Sequence, residues 1–173
     1  EYGHLHYGEN KVQEALEKWT VPKQKNNLIK LHMVGKLQTN KVKNAIKIFD
    51  YIHSVDNIKL AKKIASENVN QNKNVKIFIQ VNLANEEQKS GVSSSNVTEL
   101  VSICKSINLD IMGLMCLPPF NENSEKFFSR LKLLNDKTFK TNVENVFAIG
   151  DVIKLAYILI NHSSQIVYCL LLS

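Results

Sequence analysis

Short apolar runs alternate with helix-period segments along almost the whole chain, and this alternation restricts the fold more than any other feature. VKIFIQVNL (75–83) is the clearest strand, dense in β-branched and aromatic residues. LHMVG (31–35), YIHSVD (51–56), LDIMGLMCL (109–117), NVFAIG (145–150) and QIVYCLLL (165–172) read the same way, and residues 5–7 read as the end of one more strand. Between them, helical spacing predicts faces made of Val12, Ala15, Leu16 and Trp19, of Val42, Ala45, Ile46 and Phe49, of Ile58, Ala61, Ile64 and Ala65, and of Val97, Leu100, Val101 and Cys104. Residues 93–107, 124–139 and 151–160 are the later helical segments, the first opening on hydroxyl residues suited to an N-cap.

Alternating β and α at this spacing argues a parallel sheet with crossover helices. Two architectures compete, an open doubly wound sheet and a (β/α)8 barrel, and near-continuous apolar strands suit either. No GxGxxG follows a strand, so the dinucleotide fingerprint is absent. A whole barrel takes about 250 residues, and this chain has 173. The count of about seven strands is one short of a barrel, and the missing βα unit would come first, ahead of Tyr7. No linker or second domain interrupts residues 1–173.

Composition excludes more than it assigns. The hydrophobic fraction is 44% and the charged fraction 22%, ordinary for a globular protein. A net charge of +6 invites a nucleic-acid reading, but the excess is lysine, with Arg130 the single arginine, and base and phosphate readers lean on arginine. Cys104, Cys116 and Cys169 form no CxxC pair, so neither a metal site nor a disulfide framework is expected, and free thiols suit a reducing cytoplasm. The most apolar stretch, 152–172, is broken by Lys154, Asn161, His162, Ser163, Ser164 and Gln165 and does not read as a membrane span.

In a parallel barrel the chemistry sits at the C-terminal strand ends. Those ends carry Gly8, Glu9 and Asn10, then His32 and Gly35, then Ser54 and Asp56, then the NEEQKSG loop (85–91), then Met115, and finally Gly150. Each has a plain structural alternative. Asn10 reads equally as a helix N-cap, His32 as a satisfied core histidine, Met115 as packing and Asp56 as a cap. No GxSxG, HExxH or P-loop is present.

Five motifs in order are more specific than any one of them: HYGENKVQEALEKW (6–19), LHMVGKLQTNKVK (31–43), HSVD (53–56), VNLANEEQKSG (81–91) and GLMCLPP (113–119). Together they resemble the pyridoxal phosphate homeostasis family, the YggS/PROSC-like proteins. The resemblance implies a TIM-barrel-like fold of the alanine racemase N-terminal-domain type, lacking its first βα unit here. It implies pyridoxal 5′-phosphate (PLP) as cofactor and a non-catalytic role as a PLP carrier or buffer in vitamin B6 and amino-acid balance. Expected partners are PLP itself and PLP-dependent apo-enzymes, with no nucleic acid and no membrane. Matched residue by residue, it assigns cofactor contacts to Asn10, His32, Gly35, Ser54, Met115 and Gly150, and pairs Asp56 with Ser54 in the SVD strand end.

Two departures accompany the match. The lysine that holds PLP as a Schiff base in this family lies in a VSKxxP-like segment that would fall upstream of Glu1, and Lys11, at a helix start, and Lys36, in a loop, are not expected to replace it. At the phosphate end, AIGD (148–151) and IVYC (166–169) stand for the family's SMGMS and VRIG turns, with Asp151 at a helix N-terminus, Val167 for the arginine and Cys169 for the glycine. Loss of a charge-assisted contact costs about 1.5–3 kcal/mol, roughly a hundredfold in affinity at the upper end. The expectation is therefore a truncated member with weakened, non-covalent PLP binding and self-association through open barrel edges. The alternatives are a fragment of an alanine racemase-like enzyme and a cofactor-free structural remnant.

Overall fold

The computed structural model describes residues 4–84, 89–119 and 122–139. The predicted elements at 145–150, 151–160 and 165–172 lie outside them. The described chain runs β1 (His6–Glu9), α1 (Val12–Lys25), β2 (Lys30–Met33), a 3-10 turn (Thr39–Lys41), α2 (Val42–Ile48), β3 (Tyr51–Val55), α3 (Ile58–Asn70), β4 (Lys76–Asn82), β5 (Val92–Ser93), α4 (Val97–Ser106), β6 (Ile111–Cys116) and α5 (Ser124–Phe139). Every strand pairing is parallel, in the order β1-β2-β3-β4, with β6 on β4. This is the βα-repeat architecture that the alternation predicts, because parallel neighbours need a crossover and the crossover is a helix.

The two faces of the sheet are buried differently. Ile77, Ile79 and Val81 of β4 join Leu31, Met33, Ile52, Leu114 and Cys116 in one apolar cluster with the helix residues Val12, Ala15, Ala45, Ile46, Leu60, Ile64, Leu100 and Val101. Phe78 and Met115 are just as buried yet lie outside that cluster. Alternation along each strand thus sends one set of side chains under the helices and the other to the opposite face.

Local details depart from sequence expectation for identifiable reasons. Helix α1 continues past Trp19 through Pro22 to Lys25. An internal proline removes a helical hydrogen bond, but Lys23 Nζ donates to the Ile48 carbonyl at 2.8 Å and to Asp50 Oδ2 at 2.5 Å, which holds the last turn. Asn57 caps α3, its side chain accepting the Leu60 N–H, so Asp56 is left for another contact. Ser93, expected at the start of a helix, forms a short strand with Val92 instead. Val81 pairs with Cys116 on one edge and with Val92 on the other, so β5 extends the β3 edge above the point where β3 stops. Gly91, at φ 125°, makes that turn, and a Cβ there would lie 2.6 Å from the Asn82 backbone nitrogen.

Asp50 ties the lower ends of three elements together. Its carboxylate accepts from Lys23 Nζ and from the Leu31 N–H at 2.8 Å, while its own N–H donates to the Leu31 carbonyl. Lys30 Nζ lies 3.7 Å from Oδ1. Replacing Asp50→Ala leaves the Leu31 N–H without its acceptor and the Lys23 ammonium with only the Ile48 carbonyl. We expect a loss of about 1.5–3 kcal/mol, the usual worth of hydrogen bonds to a charged group, read from chemical denaturation of the two proteins.

Candidate functional site

The opening motif closes on itself. Glu9, buried at the end of β1, accepts from Trp19 Nε1 at 2.5 Å and lies 3.1 Å from Lys18 Nζ, both on α1. Tyr7 packs on Trp19 with ring centroids 4.4 Å apart. Glu9 therefore locks α1 to β1 from the helix side. Asn10 follows it and is exposed, and Lys11, not Asn10, takes the N-cap position of α1. Gly35, after β2, lies so close that a Cβ on it would stand 2.3 Å from the Asn10 carbonyl oxygen. The Val34 N–H donates to the Glu9 carbonyl at 2.9 Å. The two predicted strand-end residues Asn10 and Gly35 are thus brought into direct contact.

On the face away from the helix-side cluster, β1, β2 and β3 each place a histidine in one row. His6 Nδ1 and His32 Nε2 are 2.9 Å apart, and His32 Nδ1 and His53 Nε2 are again 2.9 Å apart. Tyr51 stacks on His32 at 4.3 Å with planes 2° apart, and His53 stacks on Phe78 at 4.3 Å and 18°. His32 is 3% exposed and His53 2%. Burial pushes His32 down to about 2, reinforced by His53, His6 and Lys23, and burial alone pushes His53 down to about 3. Burial also lowers His6, with Asp50 pulling the other way. All three imidazoles are therefore neutral near pH 7, each offering one donor and one acceptor.

The row ends at an irregularity in β3. Ile52 pairs with Ile77 and Val55 with Ile79, so three steps of β3 match two of β4, and His53 and Ser54 share the place opposite Phe78. His53 Nδ1 and the Ser54 hydroxyl are both buried without a hydrogen-bond partner among the described residues. Met115, fully buried on β6, stands opposite Gln80 of β4. Gln80 Nε2 donates to the Ser90 carbonyl at 3.1 Å, and the Gly91 N–H reaches Asp56 Oδ2 at 3.3 Å. Ser90 and Gly91 are thereby tied to Gln80 of β4 and to Asp56 after β3.

Of the predicted contacts, Asn10 and Gly35 meet at one end of the sheet, while His32, Ser54 and Met115 lie buried in it. His32 is a hydrogen-bonded core histidine and part of the polar row together. Gly150, Asp151, Val167 and Cys169 lie outside the described residues. The reading of strand ends missed His53, His6 and Gln80. The available signal was a histidine in each of the first three strands. Lys11 is exposed and paired with Glu14 at 2.6 Å, and Lys36 is exposed. Burial raises the Cys104 thiol to about 11 and the Cys116 thiol to about 12, so neither is a reactive thiolate. Among the described residues no helix is long and apolar enough to cross a membrane.

Comparison with known proteins bears on this site. The family model for the alanine racemase N-terminal domain matches residues 1–148. A pyridoxal phosphate homeostasis protein of Aquifex aeolicus is 38% identical over 135 residues, covering 76% of this chain and 58% of the relative. One from Vibrio alginolyticus is 30% identical over 156 residues, covering 88% and 66%. This chain thus spans about three-fifths to two-thirds of the length of these relatives. PipY of Synechococcus elongatus, solved with PLP bound, is similar at a TM-score of 0.72 and 27% identity, over 80% of this chain and 65% of that one. Alanine racemase of Clostridium difficile shares the fold at a TM-score of 0.66 and 12% identity, over 83% and 38%.

Two outcomes follow from the geometry. Gly35→Ala forces a methyl group into the backbone at Asn10, and we expect a loss of about 1–3 kcal/mol by denaturant titration. The histidines make stability depend on pH. Their folded values, about 2 and about 3, lie below the ordinary 6.5. Below pH 6.5 the unfolded chain binds protons that the folded chain refuses, so stability falls as pH drops towards 3 and is unaffected by these groups above 6.5. Urea midpoints across this range should report an uptake of about two protons on unfolding, and His53→Phe should remove about one.

Proposed function

The chain belongs to the alanine racemase N-terminal domain family, in its pyridoxal phosphate homeostasis branch, and from that premise we propose that it binds PLP in the sheet interior as a non-catalytic carrier or buffer. The observation that carries the reading is the pair of buried polar groups without a partner among the described residues, His53 Nδ1 and the Ser54 hydroxyl, at the β3 irregularity where the His53 ring stacks on Phe78. A flat pyridine ring needs apolar walls and a few placed hydrogen-bonding groups. Phe78 and Met115 fit the first requirement, and the groups at the β3 irregularity fit the second. PLP supplies an aldehyde and an electron-withdrawing ring when bound. The chain's own residues would hold and orient it, with Asn10 and Gly35 shaping the strand-end rim.

Non-catalytic action is part of the proposal, as are PLP-requiring apo-enzymes as recipients and the cytoplasm as location. A second copy of the chain pairing along β1, which among the described residues pairs only with β2, completes it. The reading assigns no covalent anchor to Lys11, which is exposed and paired with Glu14, or to Lys36, which is exposed.

The test is a fluorescence titration with PLP, followed by borohydride reduction and peptide mapping. We expect saturable, reversible binding, about tenfold weaker in Ser54→Ala, no adduct at Lys11 or Lys36, and no racemisation of L-alanine. Absence of saturable binding overturns the reading. Measurable racemisation overturns its non-catalytic part.

A further inference from the structure

The three histidines cannot choose their protons independently. A neutral imidazole has one N–H and one bare nitrogen. His32 lies between two partners, with Nε2 facing His6 Nδ1 and Nδ1 facing His53 Nε2, each at 2.9 Å. If His32 carries its proton on Nδ1, it donates to His53 and must accept from His6. If it carries the proton on Nε2, it donates to His6 and must accept from His53. Both bonds survive only when all three rings carry the proton on the same nitrogen, Nδ1 throughout or Nε2 throughout.

The two orders differ at the ends. In the Nδ1 order, His53 presents a donor at the buried irregularity of β3. In the Nε2 order, the same atom is a bare acceptor. That atom and the Ser54 hydroxyl beside it in sequence are buried groups with no partner among the described residues. The opposite end, His6, is only partly buried. Stacking of Tyr51 on His32 and of Phe78 on His53 fixes the ring planes and keeps the nitrogens aligned.

We propose that His6, His32 and His53 act as one tautomer-coupled relay whose buried end, His53 Nδ1 beside the Ser54 hydroxyl, hydrogen-bonds a polar atom of a bound heteroaromatic ring. This rests on the PLP reading above and adds to it a contact residue, His53, and two positioning residues, His32 and His6. The exchange of order balances in protons. One proton enters at His6 Nε2 from water. The Nδ1 proton of His6 passes to His32 Nε2, that of His32 Nδ1 passes to His53 Nε2, and that of His53 Nδ1 passes to the ring atom. The reverse sequence returns a proton to water. An acceptor on the ligand therefore selects the Nδ1 order and a donor selects the Nε2 order, and His6 reports the choice without touching the ligand.

The test uses the 15N-labelled chain and pyridoxine 5′-phosphate, which keeps the ring nitrogen and hydroxyl but has no aldehyde. Long-range proton–nitrogen correlation spectra report the tautomer of each imidazole. We expect the free chain to have one order shared by all three rings, and saturation with the probe to shift the nitrogens of His53, His32 and His6 together. His53→Phe should weaken the probe by about tenfold or more and abolish the response of His6. His53→Gln, which keeps a hydrogen-bonding side chain but cannot relay a tautomer, should retain more binding and also silence His6. Binding that leaves the His6 nitrogens unmoved overturns the relay while leaving the PLP reading intact. A probe that does not bind at all overturns the PLP reading, and the ligand end of the relay with it.

Discussion

The burial of β4 on both faces governs the rest of the structure. A parallel strand inside a sheet is covered twice, and its alternating side chains meet two different environments. Ile77, Ile79 and Val81 meet the helices, where volume and branching are enough for a good core. Phe78 and Gln80 are buried away from that cluster, where they meet a histidine ring and the carbonyl of Ser90. The helix-side cluster supplies the hydrophobic stabilisation, at about 25 cal/mol per Å2 of apolar area removed from water. It is what allows the other face to carry polar groups at all.

Those polar groups are costly to bury and are made tolerable by one another. An isolated imidazole in an apolar interior loses its water without compensation. Here His32 uses both ring nitrogens on neighbouring histidines, and the aromatic faces of Tyr51 and Phe78 cover the rings. Among the described residues the compensation stops at His53 Nδ1 and the Ser54 hydroxyl. Native structures leave few such groups unpaired. The irregular register of β3 produces this, because it puts two polar residues in the space of one strand step.

Much of the architecture was legible beforehand. The extents of β4 and α5 survive almost residue for residue, since their patterns are long and unambiguous, whereas Ile58, expected on the buried face of α3, is exposed at its first turn while Ala61 and Ile64 are buried. Short elements fared less well. β5 is two residues long and owes its existence to the edge offered by β4 above the end of β3, which no local pattern announces. The last turn of α1 passes through Pro22 because Asp50 and the Ile48 carbonyl hold Lys23, a contact across 25 or more residues of sequence. At the site, Gly35 was singled out from its motif, but the reason for a glycine there, the Asn10 carbonyl on another loop, is visible only in three dimensions.

By itself the sequence determined that this chain builds βα repeats on a parallel sheet, most of the buried helix faces, and which family it resembles, because hydrophobic period and strand-end motifs are local properties of the chain. Only the tertiary structure decided that His6, His32 and His53, each unremarkable in its own strand, form one row of hydrogen-bonded rings. It also decided that Asn10 lies against Gly35 rather than capping α1, and that His53 and Ser54 share one place opposite Phe78. The physical reason is that strand register and the β3 irregularity are set by packing between segments distant in sequence, and it is register that decides which side chains meet.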